Sequence, residues 1–123
     1  MKNFSISEFD SPDVPNSGIN MDKTFLQMLD DARGIAGIPF KINSGYRTPE
    51  HNKKVGGKLK TPTSKGSSHM YGLAADIACS ASLDRFTIVD ALIDAGFNRL
   101  GIAKSFIHVD NDPDKAPYVI WTY

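Results

Sequence analysis

Hydrophobic residues recur at three- and four-residue intervals over residues 21–36, with polar residues between them. This spacing predicts an amphipathic α-helix. Asn20 precedes the helix as a candidate N-cap, and Gly37 is placed to end it. A second, short helix is predicted after Thr48-Pro49, because threonine caps helices and proline is favoured at the first helical position.

A third helix is predicted to begin at Ser82 or Asp84 and to stop at Gly96. We expect its core side to carry Phe86, Val89, Leu92 and Ile93.

Short apolar or alternating stretches predict strands. They lie at 39–44, 74–78, 97–103, 106–110 and 118–121. The stretches at 97–103 and 106–110 are close enough to form a hairpin. Because helices and strands do not alternate strictly, we expect an α+β fold with a small antiparallel central sheet flanked by helices.

Composition agrees with a folded chain of ordinary size. The 123 residues suit a single domain spanning 1–123, with an irregular segment at 1–19 packed onto it through Phe4, Ile6 and Phe9. Fourteen basic residues balance fourteen acidic ones, which argues against a nucleic-acid-binding protein. The single cysteine, Cys79, follows an apolar run and is expected to be a buried, inert thiol rather than a nucleophile or metal ligand.

No apolar stretch follows Lys2, so the N-terminus does not have the pattern of a secretory signal. No apolar run approaches the ~20 residues that a membrane-spanning helix needs. We therefore expect a protein made in the cytoplasm, which reaches a substrate outside it only if it is delivered there.

Two histidines and one aspartate form a candidate metal-ligand set. His69 lies in a glycine- and serine-rich stretch, Asp76 interrupts an apolar strand seven positions later, and His108 lies in another predicted strand. Two imidazoles and a carboxylate, with a fourth position open, are a common ligand set for catalytic zinc. Spacing alone leaves a second interpretation open, in which His69 and Asp76 are a buried hydrogen-bonded pair without metal.

The segment Ser67-x-His69-x-x-Gly72-x-Ala74-x-Asp76 resembles the S-x-H-x-x-G-x-A-x-D signature of zinc D-alanyl-D-alanine carboxypeptidases and related peptidoglycan endopeptidases, whose fold the hedgehog signalling domain shares. The segment 44–48, Ser-Gly-Tyr-Arg-Thr, resembles the segment that precedes this signature. The segment 106–110, Phe-Ile-His-Val-Asp, resembles the strand that carries the last ligand. The three matches occur in the family's order.

This resemblance implies that His69, Asp76 and His108 bind one Zn²⁺ per chain. It also implies that Arg47 points into the site and holds a substrate carboxylate or a developing oxyanion. Ser67 and Tyr71 are the remaining candidates for substrate binding; loop solvation and rim packing are their alternatives.

One position departs from the family pattern. Many relatives have an acidic residue three positions before the last histidine, where it acts as general base, and this chain has Ser105 there. Asp110 is the best substitute, because it shares a strand face with His108. Glu50 and His51 are weaker candidates.

The resemblance therefore implies a zinc metallopeptidase that hydrolyses D-amino-acid-containing bonds in peptidoglycan stem peptides. The chain is similar to the short, single-domain members found in bacteria and phages. We expect it to be a monomer without a nucleic-acid partner. It does not distinguish a carboxypeptidase from an endopeptidase or lysis enzyme. The alternative is a non-catalytic zinc-binding interaction module of the same fold, which the serine at position 105 favours. Three lysines in the 56–68 loop are expected to be solvated or to meet an anionic substrate.

Overall fold

A computed structural model describes residues 1–123 and contains one five-stranded sheet. The strands are β1 (Ile42–Ser44), β2 (Ala74–Ala78), β3 (Arg99–Ile102), β4 (Phe106–Asp110) and β5 (Val119–Thr122). Their order across the sheet is β1-β2-β4-β3-β5. The predicted α+β class is confirmed, and β2 has the predicted bounds.

The sheet is mixed, whereas the sequence predicted an antiparallel one. β1, β2, β4 and β3 pair antiparallel, but β5 runs parallel to β3. The segment 111–118 leaves β4 at the end of the sheet where β3 begins, and it returns to the same end on the other side of β3. The last strand therefore starts with Val119 beside Arg99 and takes the direction of β3.

Three α-helices accompany the sheet: α1 (Lys23–Ala36), α2 (Pro49–Lys54) and α3 (Ser82–Asp94). The N-cap of α1 is Asp22, whose side chain accepts a hydrogen bond from the Phe25 N–H. The predicted cap, Asn20, instead lies in a short 3-10 helix. Thr48 caps α2 as predicted.

The helices α1 and α3 pack with one face of the sheet to form the core. That core takes alternate strand residues, including Ala75, Ile77, Leu100, Ile107 and Val109. The opposite face carries the polar partners Asp76 and His108. Because no helix of the core covers this second face, its side chains are free to line a site.

The core side of α3 differs in part from the prediction. Leu92 is buried and Val89 packs against the core, but Phe86 and Ile93 are 73% and 49% exposed. Ile88 and Ala91 are buried instead. Apolar residues lie almost all round this helix, so periodicity alone does not select the buried side.

The N-terminal segment is attached by two of the three residues predicted to do so. Phe4 and Phe9 are buried against each other, with ring centroids 5.3 Å apart, whereas Ile6 is exposed. The Tyr46 N–H donates to the Phe9 carbonyl, which ties the segment to the chain just after β1. Cys79 is buried as a free thiol. None of the helices has the length and apolarity needed to cross a bilayer.

Candidate metal centre

Two neighbouring strands and one short helix bring the three predicted ligands together. Asp76 on β2 is the cross-strand partner of His108 on β4, so both side chains project from the same face of the sheet. His69 comes from a 3-10 helix, Ser68–Tyr71, that directly precedes β2. One ligand atom from each residue lies within 4.8 Å of the others.

The position of His69 depends on a tight turn at each end of that short helix. The Ser67 hydroxyl accepts a hydrogen bond from the His69 N–H at 3.3 Å, which caps the helix. Gly72 ends it with φ +69°, and a Cβ atom there would collide with the Asn20 carbonyl oxygen. Glycine is therefore required on both conformational and steric grounds, which explains its place in the motif.

Hydrogen bonds to the outer nitrogens fix which nitrogen of each imidazole faces the site. His69 Nδ1 donates to the Gly45 carbonyl at 2.8 Å, which leaves Nε2 directed at Asp76 Oδ1, 3.3 Å away. His108 Nε2 donates to Asp110 Oδ2 at 2.8 Å, which leaves Nδ1 directed at the same Asp76 oxygen, 3.0 Å away. Three potential donor atoms therefore converge on one point.

Burial and charge give the three groups different protonation preferences. Burial lowers the pKa of His69, which favours its neutral form. Burial would also lower the pKa of His108, but hydrogen bonds with Asp110 and Asp76 outweigh it, so that pKa is raised. Burial would raise the pKa of Asp76, yet hydrogen bonds from His108 and His69 hold it well below its usual range. Asp76 is therefore ionised.

Arg47 points into the site, where the resemblance places it. Its Nη2 lies 3.2 Å from Asp76 Oδ2, the carboxylate oxygen that does not face the imidazoles. Its Nε donates to the Ser44 hydroxyl at 2.9 Å and its Nη1 to the Asn52 side-chain oxygen at 3.3 Å. These contacts hold the guanidinium beside the ligand carboxylate.

Asp110 lies behind His108, on the far side of the ring from Asp76. Its Oδ2 accepts from His108 Nε2, and its Oδ1 accepts from Arg99 Nε at 2.7 Å. The side chain is almost fully buried. Both oxygens are therefore engaged away from the convergence point, so these contacts suit a support for His108 rather than the predicted general base.

A cavity of about 420 Å³ opens above the three ligands. It is lined by Arg47, Val55, Gly56, Gly57, Lys58, Ser67, Ser68, His69, Asp76, Arg99, Phe106, His108, Asp110, Lys115, Trp121 and Tyr123. Four residues considered from the sequence do not line it, namely Glu50, His51, Ser105 and Tyr71. The Tyr71 hydroxyl donates to the Lys65 carbonyl at 2.8 Å, so that side chain contacts the neighbouring loop instead of the predicted substrate site.

Trp121 borders the site and was not predicted to do so. Its ring centroid lies 5.6 Å from that of His108. The two side chains meet across Gly101, the cross-strand partner of both residues. A Cβ atom at Gly101 would lie 2.6 Å from the Trp121 indole nitrogen, so the missing side chain is what allows the contact.

A second polar cluster joins the loop before His69 to the end of β4. Asp112, buried, accepts from the Ser68 hydroxyl at 2.7 Å and from Lys65 Nζ at 2.9 Å. Lys115 donates to the same Ser68 hydroxyl at 2.7 Å. The cluster holds the segment that carries His69 against the segment that follows His108. It joins residues 44 to 47 positions apart, and no local pattern in the sequence indicates such a contact.

Comparison with curated proteins gives no match to this chain. In a comparison with protein families, the family described as peptidase M15 matches residues 3–110. The matched range contains Arg47, Ser67 and all three candidate ligands.

Proposed function

Because the chain belongs to the peptidase M15 family, whose members are zinc-dependent metallopeptidases, we propose that it hydrolyses D-amino-acid-containing peptide bonds of bacterial peptidoglycan. One observation carries this proposal. Two imidazole nitrogens, each oriented by a hydrogen bond at the other ring nitrogen, and one carboxylate oxygen converge at the base of an open cavity. Such a centre is suited to peptide hydrolysis, and the resemblance of the 67–76 segment to the signature of peptidoglycan peptidases supports the bacterial cell wall as its substrate.

His69, Asp76 and His108 would hold the metal through Nε2, Oδ1 and Nδ1. The donor set of two nitrogens and one oxygen fits zinc, and a set of three leaves a coordination position open. When bound, zinc supplies a water of lowered pKa and a Lewis acid for the scissile carbonyl. The cation would replace the proton that His108 Nδ1 and Asp76 share, so we expect binding to release a proton.

Gly45 and Asp110 orient the two histidine ligands from the side that faces away from the centre. Each accepts the outer N–H of one imidazole and so holds the ring with its other nitrogen towards the centre. Arg99 holds Asp110 in turn. We propose that Asp110 and Arg99 orient His108 and do not exchange protons with substrate.

Arg47 has a double role in this proposal. It holds Asp76 Oδ2, which keeps Oδ1 towards the imidazoles. Its positive charge also lies on the cavity wall, where it stabilises negative charge that develops on the carbonyl oxygen of the substrate. Ser67 lines the same wall and is our candidate for a hydrogen bond to the substrate.

A second candidate function is a metal-binding interaction module without catalysis. It is favoured by the absence of a free carboxylate at the cavity: Asp76 and Asp110 both have partners, and Ser105 lies outside. Both candidate functions require a bound metal, but only the peptidase hydrolyses a substrate.

Mass spectrometry of products distinguishes them. Zinc-loaded protein is incubated with purified peptidoglycan fragments beside a chelator-treated sample and the His69→Ala variant. We expect new fragments from the wild-type protein alone, and their masses identify a carboxypeptidase or an endopeptidase. Zinc retention without any new fragment from several wall types would exclude the peptidase and leave the interaction module.

A further inference from the structure

Charge is unevenly distributed along this neutral chain. Residues 41–69 contain seven of the fourteen basic residues and one of the fourteen acidic residues, Glu50. This segment includes α2, the 56–66 loop and the short helix that carries His69. It forms one wall of the cavity, because Arg47, Gly57, Lys58 and Ser67 all line it.

Four lysines of α2 and the 56–66 loop are exposed and unpaired. They are Lys53, Lys54, Lys58 and Lys60, and none of them makes a salt bridge or a side-chain hydrogen bond. Two other lysines, Lys65 and Lys115, behave differently, since Lys65 binds Asp112 and Asp114, and Lys115 binds Ser68. We call Lys53, Lys54, Lys58 and Lys60 the lysine strip.

The backbone under the lysine strip is held in place and linked to the metal centre. The Lys58 carbonyl accepts from the Ser67 N–H at 2.9 Å and from the side chain of Asn52 at 3.0 Å. Asn52, which is fully buried, also accepts from Arg47. A path of positive charge therefore leads from Arg47, beside Asp76, through Lys58 at the cavity wall to the exposed surface.

We propose that the lysine strip binds carboxylates of an acidic peptide substrate where the peptide leaves the cavity. A wall of one charge sign concentrates the field at a cleft and attracts ligands of the opposite sign. The carboxylates of the peptide itself are favoured as occupant because the strip is continuous with the cavity through Lys58 and Arg47. This inference rests on the proposed peptidase function and specifies its substrate: the preferred peptide carries a negative charge beyond the scissile bond.

The test compares two substrates and two variants. One substrate is a stem pentapeptide with a free carboxylate on its glutamate residue, and the other is the same peptide with a carboxamide there. The variant Lys58→Gln/Lys60→Gln removes two charges from the strip. The variant Lys2→Gln/Lys23→Gln removes two exposed charges elsewhere and serves as the matched control.

We expect the wild-type protein and the control to favour the free carboxylate by about two- to thirtyfold in kcat/KM, through KM, as two exposed charge pairs contribute about 0.2–1 kcal/mol each. The preference should disappear in Lys58→Gln/Lys60→Gln and should diminish in the wild-type protein as the salt concentration rises. Equal preference in both variants would overturn the proposal while leaving the peptidase function intact.

Two further outcomes distinguish a failure of the proposed function from a failure of the lysine-strip proposal. If no peptide is cleaved, the proposed function fails, and calorimetric binding of the same two peptides to the same variants then decides on the lysine strip alone. If a polyglycerol phosphate chain binds through these lysines while the two peptides bind equally, the strip serves a phosphodiester polymer and the proposal is wrong.

Discussion

At the scale of single residues, the centre is defined as much by what holds its ligands as by the ligands. His69, Asp76 and His108 were identifiable from motif and spacing, and the structure brings them together. The support of His108 by Asp110 could be predicted only in part from the sequence. The alternation of β4 places both residues on one face, but the partner Arg99 lies on β3, and only the register of the hairpin brings it opposite Asp110.

The replacement Asp110→Asn tests this support. The amide cannot neutralise Arg99 and holds the His108 ring less well, so we expect zinc affinity to fall about 10- to 100-fold. Zinc affinity is measured by competition with a chromophoric chelator. Asp90→Asn, on the exposed surface of α3, is the control and should bind zinc as the wild-type protein does. Unchanged affinity with slower turnover would instead assign Asp110 the role of general base.

At the scale of elements, patterns that are local were predictable and those that depend on distant partners were not. The strand β2 has its predicted bounds because an apolar run with one acid is distinctive, and α2 begins at Thr48-Pro49 because capping is a local property. The direction of β5 depends on the 111–118 segment starting β5 at the end of the sheet where β4 stops, and the exposure of Phe86 depends on which side of α3 meets α1. Neither is encoded in a short window.

The contact between the 3-10 helix Ser68–Tyr71 and the end of β4 is another such distant pairing, and it predicts a pH effect. Burial would raise the pKa of Asp112, but hydrogen bonds from Ser68 and Lys65 outweigh it and lower that pKa. Because the folded-state pKa lies below the unfolded value of about 3.9, this stabilisation is present at neutral pH. It is lost as the pH falls from about 4 through the folded-state pKa.

Asp112→Asn should therefore lower the free energy of unfolding by about 1.5 to 3 kcal/mol at pH 7. The difference from the wild-type protein should shrink below about pH 4, where Asp112 takes up its proton. Urea denaturation of both proteins at pH 7 and at a pH below about 4 measures this difference. Asp114→Asn, which alters an exposed partner of the same lysine, should change stability by less than about 0.5 kcal/mol. A difference that is independent of pH would refute the electrostatic explanation.

At the scale of the whole molecule, the sheet separates two tasks. One face packs with α1 and α3 to form the core, and the other presents the candidate metal centre, the cavity and the wall with its lysine strip. The three ligands come from two strands and the segment before β2, so a bound metal would link parts of the chain that are 39 positions apart between His69 and His108.

Metal binding should therefore stabilise the fold. At free zinc about 100 times its dissociation constant, we expect a gain of about 2.7 kcal/mol, seen as a higher Tm in calorimetry and reversed by a chelator. His108→Ala should unfold at the same temperature with and without zinc. A wild-type Tm that is insensitive to zinc would support the interpretation of His69 and Asp76 as a hydrogen-bonded pair without metal.

The contact across Gly101 gives the protein an optical reporter of its own. Trp121 is the only tryptophan in the chain, and its ring lies 5.6 Å from that of His108. Imidazolium quenches indole fluorescence more strongly than neutral imidazole does, and ligation would fix His108 in its neutral form. We therefore expect the light emitted by this one native side chain to follow the state of the ligand beside it, which would make occupancy of the centre readable in the unmodified protein, without a dye or a substrate.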